Sequence, residues 1–269
     1  MLMFQHRNKK NRKRALTVLE TMMAIAIMGI VAVSLGALSS AVESGSEYTF
    51  GHAAATQQAR VALLRMQNRM ATATATAEFP GFVVFSETVN GWDFPDTLVV
   101  WSPLVAAANP AGPPLYRELV IYCPDPASPH EFLEIRAAQD NRSTPPLSNI
   151  STWLTELAAI KANPDVDRAV LIETLRAAEI DNAGTRRGVA RFTERILPSS
   201  SQWAAFQAGS VAWNNLAWVQ DIHGADYGLR QSMCHIELQL LADEPGTMVS
   251  SDVVIPFFGS GALYYQLSR

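Results

Sequence analysis

The 269-residue chain is long enough for one sizeable domain, and its 48% apolar and 17% charged content excludes a disordered, charge-rich polypeptide. The net charge of −4 hides an asymmetry: residues 1–15 hold six of the 21 basic groups and no acid, leaving 15 Lys and Arg against 25 Asp and Glu elsewhere, a net of −10. An acidic remainder argues against nucleic acid or anionic lipid as its main partner.

Residues 1–15 form a basic leader with Arg7, Lys9, Lys10, Arg12, Lys13 and Arg14. From Thr21 to Val42 there follow 22 residues without a charge. As a helix they span about 33 Å, against a bilayer hydrocarbon core of ~30 Å. Residues 16–42 are therefore expected to cross a membrane, with the leader cytoplasmic and everything after Val42 exported. Gly29 and Gly36 allow bending within the run. Glu20 sits one turn inside it, where a carboxylate costs on the order of 2.5–3.5 kcal/mol near the bilayer centre and less near the interface. Such an acid marks a functional position. Two plainer readings stay open. A cleavable secretory signal has a shorter apolar core and a clearer cleavage site than this one. A simple signal anchor fits length and orientation but gives no reason for Glu20.

The basic leader, the small residue Ala15, the run Leu16-Thr17-Val18-Leu19-Glu20 and the long apolar helix together resemble the N-terminus of type IV prepilins and pseudopilins. The resemblance is confined to the leader and the apolar helix. It implies cleavage between Ala15 and Leu16 by a prepilin peptidase, N-methylation of Leu16, and Glu20 as the fifth mature residue, acting in filament assembly. Ala15 stands where the family usually has Gly, and Leu16 where it usually has Phe. A buried carboxylate needs a partner, and the amine of Leu16 on a neighbouring subunit is a cation freed only by cleavage. Length and layout most resemble the large J-type minor pseudopilins of type II secretion. A K-type subunit also carries a helical insertion but typically lacks the Glu. The resemblance implies a structural subunit of a periplasmic filament for protein secretion, with no enzyme activity and no cofactor. It also implies a single-pass bacterial inner-membrane protein with a periplasmic domain. Its partners would be the prepilin peptidase, other pseudopilin or pilin subunits and inner-membrane lipid, and not nucleic acid. A minor type IV pilin, or an unrelated periplasmic domain on a signal anchor, are the alternatives.

Gly45 and Gly51, in Glu43–His52, mark the exit from the apolar run. Residues 53–70 are again helical in composition. Val61 and Leu64, with Leu63 and Met70 beside them, offer an apolar stripe for a sheet to cover, with Arg60, Arg65 and Arg69 on other faces. Residues 43–78 are thus expected to form an amphipathic stalk helix, either continuous with the membrane helix or hinged to it at 43–52. Residues 79–269 form a β-rich domain, and the fold class is α+β with a helix packed on antiparallel sheet. Phe82–Phe85, Leu98–Trp101, Leu119–Cys123 and Phe132–Ile135 are short strands separated by Pro, Gly, Asp and Asn. The last two make a hairpin, bounded by Pro124, Pro126 and Pro129.

After a polar link at 141–149, residues 150–182 read as a helical insertion. Its first helix repeats Trp153, Leu157 and Ile160. Its second starts at Asn163-Pro164, carries Val166, Val170, Leu171, Leu175 and Ala178, and stops at Gly184. Such a pair either forms a lobe that meets a partner or covers one face of the sheet. Strands return at Val189–Leu197, Cys234–Leu240, Val253–Phe258 and Ala262–Leu267, with Gly259-Ser260-Gly261 as a turn between the last two. Trp213 and Trp218, with Val211 and Leu216, form either core or interface.

No nucleophile elbow, phosphate loop or zinc-helix motif is present in the sequence. Asp221, His223 and Asp226 are the only local cluster of metal-capable side chains, and they read as a solvated loop and not a metal site. Asp93 and Asp96, and Asp165 and Asp167, read as turn and helix-start acids. Cys123 and Cys234 close a disulfide in an oxidising compartment, or else remain two buried thiols.

Overall fold

In the computed structural model, residues 17–181, 184–242 and 254–269 are described. They fall into two units, one ending at Thr49 and one beginning at Phe50. Helix α1, Val18–Ala71, is unbroken through Gly45 and Gly51, so residues 43–52 hold no interruption of the helix. Hydroxyls support this stretch: Ser44 Oγ donates to the Ser40 carbonyl at 3.0 Å and Thr49 Oγ1 to that of Gly45 at 2.7 Å. The helix stops at Ala71, short of the expected residue 78. The β-branched run that follows turns into extended chain, and the Thr74 N–H donates to the Trp101 carbonyl instead.

The larger unit is built on a five-stranded antiparallel meander, β1 (Phe82–Val89), β2 (Trp92–Trp101), β3 (Leu119–Pro124), β4 (Phe132–Arg136) and β5 (Asp167–Ile172), paired in that order. The centre of the sheet is buried on both faces, which is why Leu98–Trp101 and Leu119–Pro124 read as continuous apolar runs and not as alternating ones. On one face lie Phe82, Leu98, Val100, Val120, Tyr122 and Phe132, packed against α1 and a second sheet. On the other lie Val83, Phe85, Val99, Trp101, Ile121 and Cys123, packed against Trp153, Leu157 and Ile160 of helix α2, Ile150–Ala162. Asn149 caps α2 by accepting from the Thr152 N–H.

The second half of the expected helical insertion is strand. Asn163 ends α2 in an extended conformation, as the residue before a proline favours. The chain then enters β5, which pairs with β4, and continues into β6 (Ala177–Glu179), which pairs with β7 (Arg186–Gly188). Two of the apolar residues taken for a helical repeat, Val166 and Val170, are β-branched, and pairing with an open sheet edge decided between the two states. Gly184, at φ +82°, belongs to the connection of this hairpin and not to a helix end.

The second sheet contains β8 (Ala190–Leu197), β9 (Tyr227–Leu241) and β10 (Val254–Ser268), in the order β10-β9-β8. Helix α3, Ser200–Gln207, follows β8, and Trp203, Trp213, Leu216, Trp218 and Leu267 close a small aromatic core there. The expected turn at Gly259-Ser260-Gly261 is not a turn. β10 is continuous through it, and the glycines are where α1 presses on the strand: a Cβ at Gly259 would lie 2.9 Å from Leu63 Cδ2, and one at Gly261 2.4 Å from Met70 Cε. Gln67 Nε2 donates to the Ser260 carbonyl at 2.9 Å, so the helix also satisfies part of the edge strand. The two sheets meet where the Val84 N–H donates to Glu194 Oε2 at 2.8 Å.

Candidate functional site

Residues 18–49 of α1 are exposed throughout, Val18, Ile25 and Val33 among them. Among the described residues, α1 is the helix long and apolar enough to cross a membrane. At its start, Thr17 and Glu20 form a reciprocal cap. The Thr17 N–H and hydroxyl donate to Glu20 Oε2 at 2.9 and 3.0 Å, and the Glu20 N–H donates to Thr17 Oγ1 at 3.3 Å. This is a capping box, Thr-x-x-Glu, in which two of the helix's orphan N–H groups are answered by side chains. Glu20 thus has a local task that its charge alone did not reveal, although the spacing Thr17–Glu20 carries that signal. Ala15 and Leu16, the expected cleavage and methylation sites, lie outside the described residues.

Beyond Thr49 the buried face of α1 is Ala55, Ala59, Ala62, Leu63, Met66 and Met70. Of the stripe expected to meet the sheet, Leu63 and Met70 are buried, while Val61 and Leu64 stay 54% and 57% exposed. Ala55, Ala59 and Ala62 join the contact face, where small side chains let the helix backbone approach the sheets closely. Val61 and Leu64 are left open on the other side, beside the exposed Arg60 and Arg65.

Arg65 fixes this segment to the sheet. Its Nε and NH2 donate to the two oxygens of Glu134 at 2.6 and 2.9 Å, and the Tyr122 hydroxyl donates to the same carboxylate at 3.0 Å. Burial pushes the Glu134 carboxyl up, but Arg65, Tyr122 and Arg136 outweigh it and hold the group below the usual carboxylate range. Burial raises the Tyr122 phenol, and the Glu134 charge raises it further. The sequence sets Arg65 on a face away from the apolar stripe and gives no sign of Glu134, an acid on a strand whose neighbours are apolar. Asp96 was likewise taken for a turn acid. It is buried and accepts from Arg187 Nε at 2.6 Å.

The cysteines do not pair. Cys123 faces α2 and Cys234 faces the core around α1, so they belong to different clusters, and both are buried thiols. Burial pushes the Cys123 thiol up to about 11 and that of Cys234 up to about 12, which leaves neither a nucleophile at neutral pH. Asp221, His223 and Asp226 lie on an exposed loop. Among the described residues no three metal-capable side chains converge. Comparison with protein-family models, with curated proteins and with solved structures finds no match.

Proposed function

We propose that this chain is a pilin-like structural subunit, inserted in the inner membrane through residues 16–42 and assembled with related subunits into a periplasmic filament of a type II secretion apparatus. The observation that carries the reading is the start of α1. A carboxylate is retained at position 20 of a helix otherwise apolar for its next 22 residues, behind a basic leader. The cap formed with Thr17 engages one oxygen of Glu20, Oε2. The other remains for a cation such as the amine of Leu16 on a neighbouring subunit. The exposed Val61 and Leu64 support the same reading, because a helix already packed on its sheets still offers two apolar side chains to a neighbour. In this role the α+β domain supplies shape and contact surface and not chemistry.

Processing tests the reading directly. N-terminal sequencing of membrane-extracted protein is expected to begin at Leu16, with a methylated amine. A start within residues 37–42 means ordinary signal-peptidase cleavage and removes the filament reading.

A further inference from the structure

A cleft of about 630 Å³ lies between α2, the ends of β1 and β2, the β3–β4 turn and the β6–β7 hairpin. Its floor is apolar, formed by the buried Phe85 and Leu157. Its walls are held in place. Arg187 ties the hairpin to the sheet through Asp96 and through Glu87 at 2.7 Å, and its guanidinium lies 4.7 Å from the ring of Phe94. Gly188 is pressed so closely on the β3–β4 turn that a Cβ would lie 2.5 Å from the Pro129 carbonyl oxygen. The cleft is therefore preformed, and its volume is that of a ligand site.

Its charge runs against the rest of the chain. Lys161, Arg168 and Arg186 line it, and among the described residues none of the three is in an ion pair. Lys161 Nζ donates to Thr97 Oγ1 at 2.7 Å, which leaves two of its three N–H groups. Arg168 donates through NH2 to the Lys161 and Asn163 carbonyls. Arg187 is shared by two carboxylates, Glu87 and Asp96, and the third in the lining is Asp125, which accepts from the Ala127 N–H, so four cations face three carboxylates, a net of +1. A surplus of cations thus sits in an apolar cleft of a chain that beyond its leader carries −10.

We propose that this cleft binds an extended, apolar peptide segment of a protein partner that carries a side-chain carboxylate. The acid meets Lys161 and Arg186, and the apolar side chains lie on Phe85 and Leu157. The negative field of the domain disfavours an acidic segment elsewhere and leaves the cleft as its address. Asp125 decides for a peptide over a simple fatty acid: it is an acceptor that a peptide N–H can satisfy and a bare acyl carboxylate cannot. The cleft's chemistry is independent of whether the chain assembles into a filament.

The test uses the full chain in detergent and fluorescein-labelled short peptides of Leu, Phe and Val bearing no charge, one or two Glu, or Lys in place of Glu. Fluorescence anisotropy is expected to rank the Glu peptides first and the Lys peptides about tenfold weaker or worse. Ala158 is exposed on the cleft wall, so Ala158→Trp fills the cleft without entering the core and is expected to abolish binding. Arg186→Glu is expected to weaken the Glu peptides about tenfold, with an unchanged melting temperature showing that the fold is intact. Binding that survives Ala158→Trp, equal binding of Glu and Lys peptides, or binding of laurate with no peptide bound overturns the proposal, as does an array in which no peptide binds.

Discussion

Glu134 and Glu194 are acids that the same domain buries in opposite ways. Glu134 is 4% exposed and doubly bonded by Arg65, so its charged form is the stable one in the folded state. Its pKa lies below the unfolded value. Its contribution is therefore complete above about pH 4.3 and is lost as the pH falls through the folded value. Arg65→Ala strands this carboxylate. A fully buried pair broken on one side costs more, but Arg65 is 43% exposed, so the expected loss is about 2–3 kcal/mol at pH 7. Adding Glu134→Gln is expected to restore part of it, and denaturant midpoints of the two single variants and the double variant measure the coupling. Glu194 has the Val84 N–H as its partner, and burial holds its carboxyl above the usual range. Here the sign reverses: its stability contribution is present at low pH and lost as the pH rises through the folded value. Glu194→Gln keeps an acceptor for Val84 and removes the titration. The melting temperature of this variant is expected to exceed that of the native chain by a margin that widens as the pH rises from about 4.3 through the folded value. A constant margin contradicts the assignment.

At the level of elements, the strands with clear boundaries were legible because Pro, Gly and Asn punctuate them. β1 to β4, β8 and β9 lie where alternation or apolar runs place them. The misreadings are physical in origin. Val166, Val170 and Leu171 satisfy a helical spacing and a strand's composition at once, and only the unpaired edge of β4 chooses between them. Gly259 and Gly261 look like a turn, yet their use is the close approach of α1, a contact more than 190 positions away along the chain. Gly261→Ala places a methyl 2.4 Å from Met70 Cε and 3.1 Å from its Cβ. The buried Met70 side chain has to turn its end aside and its Cβ to give by a few tenths of an ångström, at a cost of about 1–3 kcal/mol. Met70→Ala loses packing alone, but combined with Gly261→Ala it is expected to cost less than the sum of the two. Strict additivity in thermal unfolding contradicts the contact. The buried face of α1 was legible in half: Leu63 and Met70 are buried as the apolar stripe expects, whereas close packing adds Ala55, Ala59 and Ala62 and leaves Val61 and Leu64 outside. The candidate site was legible only in part. Glu20 stands out by its charge, its cap is carried by the Thr17–Glu20 spacing and was passed over, and the Arg65–Glu134 contact joins residues 69 positions apart.

For the whole molecule, the central claim is that an apolar helix carries a carboxylate for the sake of a neighbour. The cap formed with Thr17 supplies a competing reason for Glu20, and the two reasons separate by substitution. Glu20→Leu removes both cap and charge. Glu20→Gln keeps a side-chain carbonyl to accept from Thr17, as Gln does in a capping box, and removes only the charge. Both variants are expected to insert at least as well as the native chain, because a neutral side chain at this depth costs less than a carboxylate. The deciding measurement is co-purification of the related subunits with the native chain, Glu20→Gln and Glu20→Leu from membranes, beside fractionation of each. The filament account predicts that Glu20→Gln fractionates with membranes and loses its subunits about as fully as Glu20→Leu, a drop of about tenfold or more for a stranded partner charge. Retention of the subunits by Glu20→Gln at the native level contradicts it, and leaves Glu20 as a helix cap.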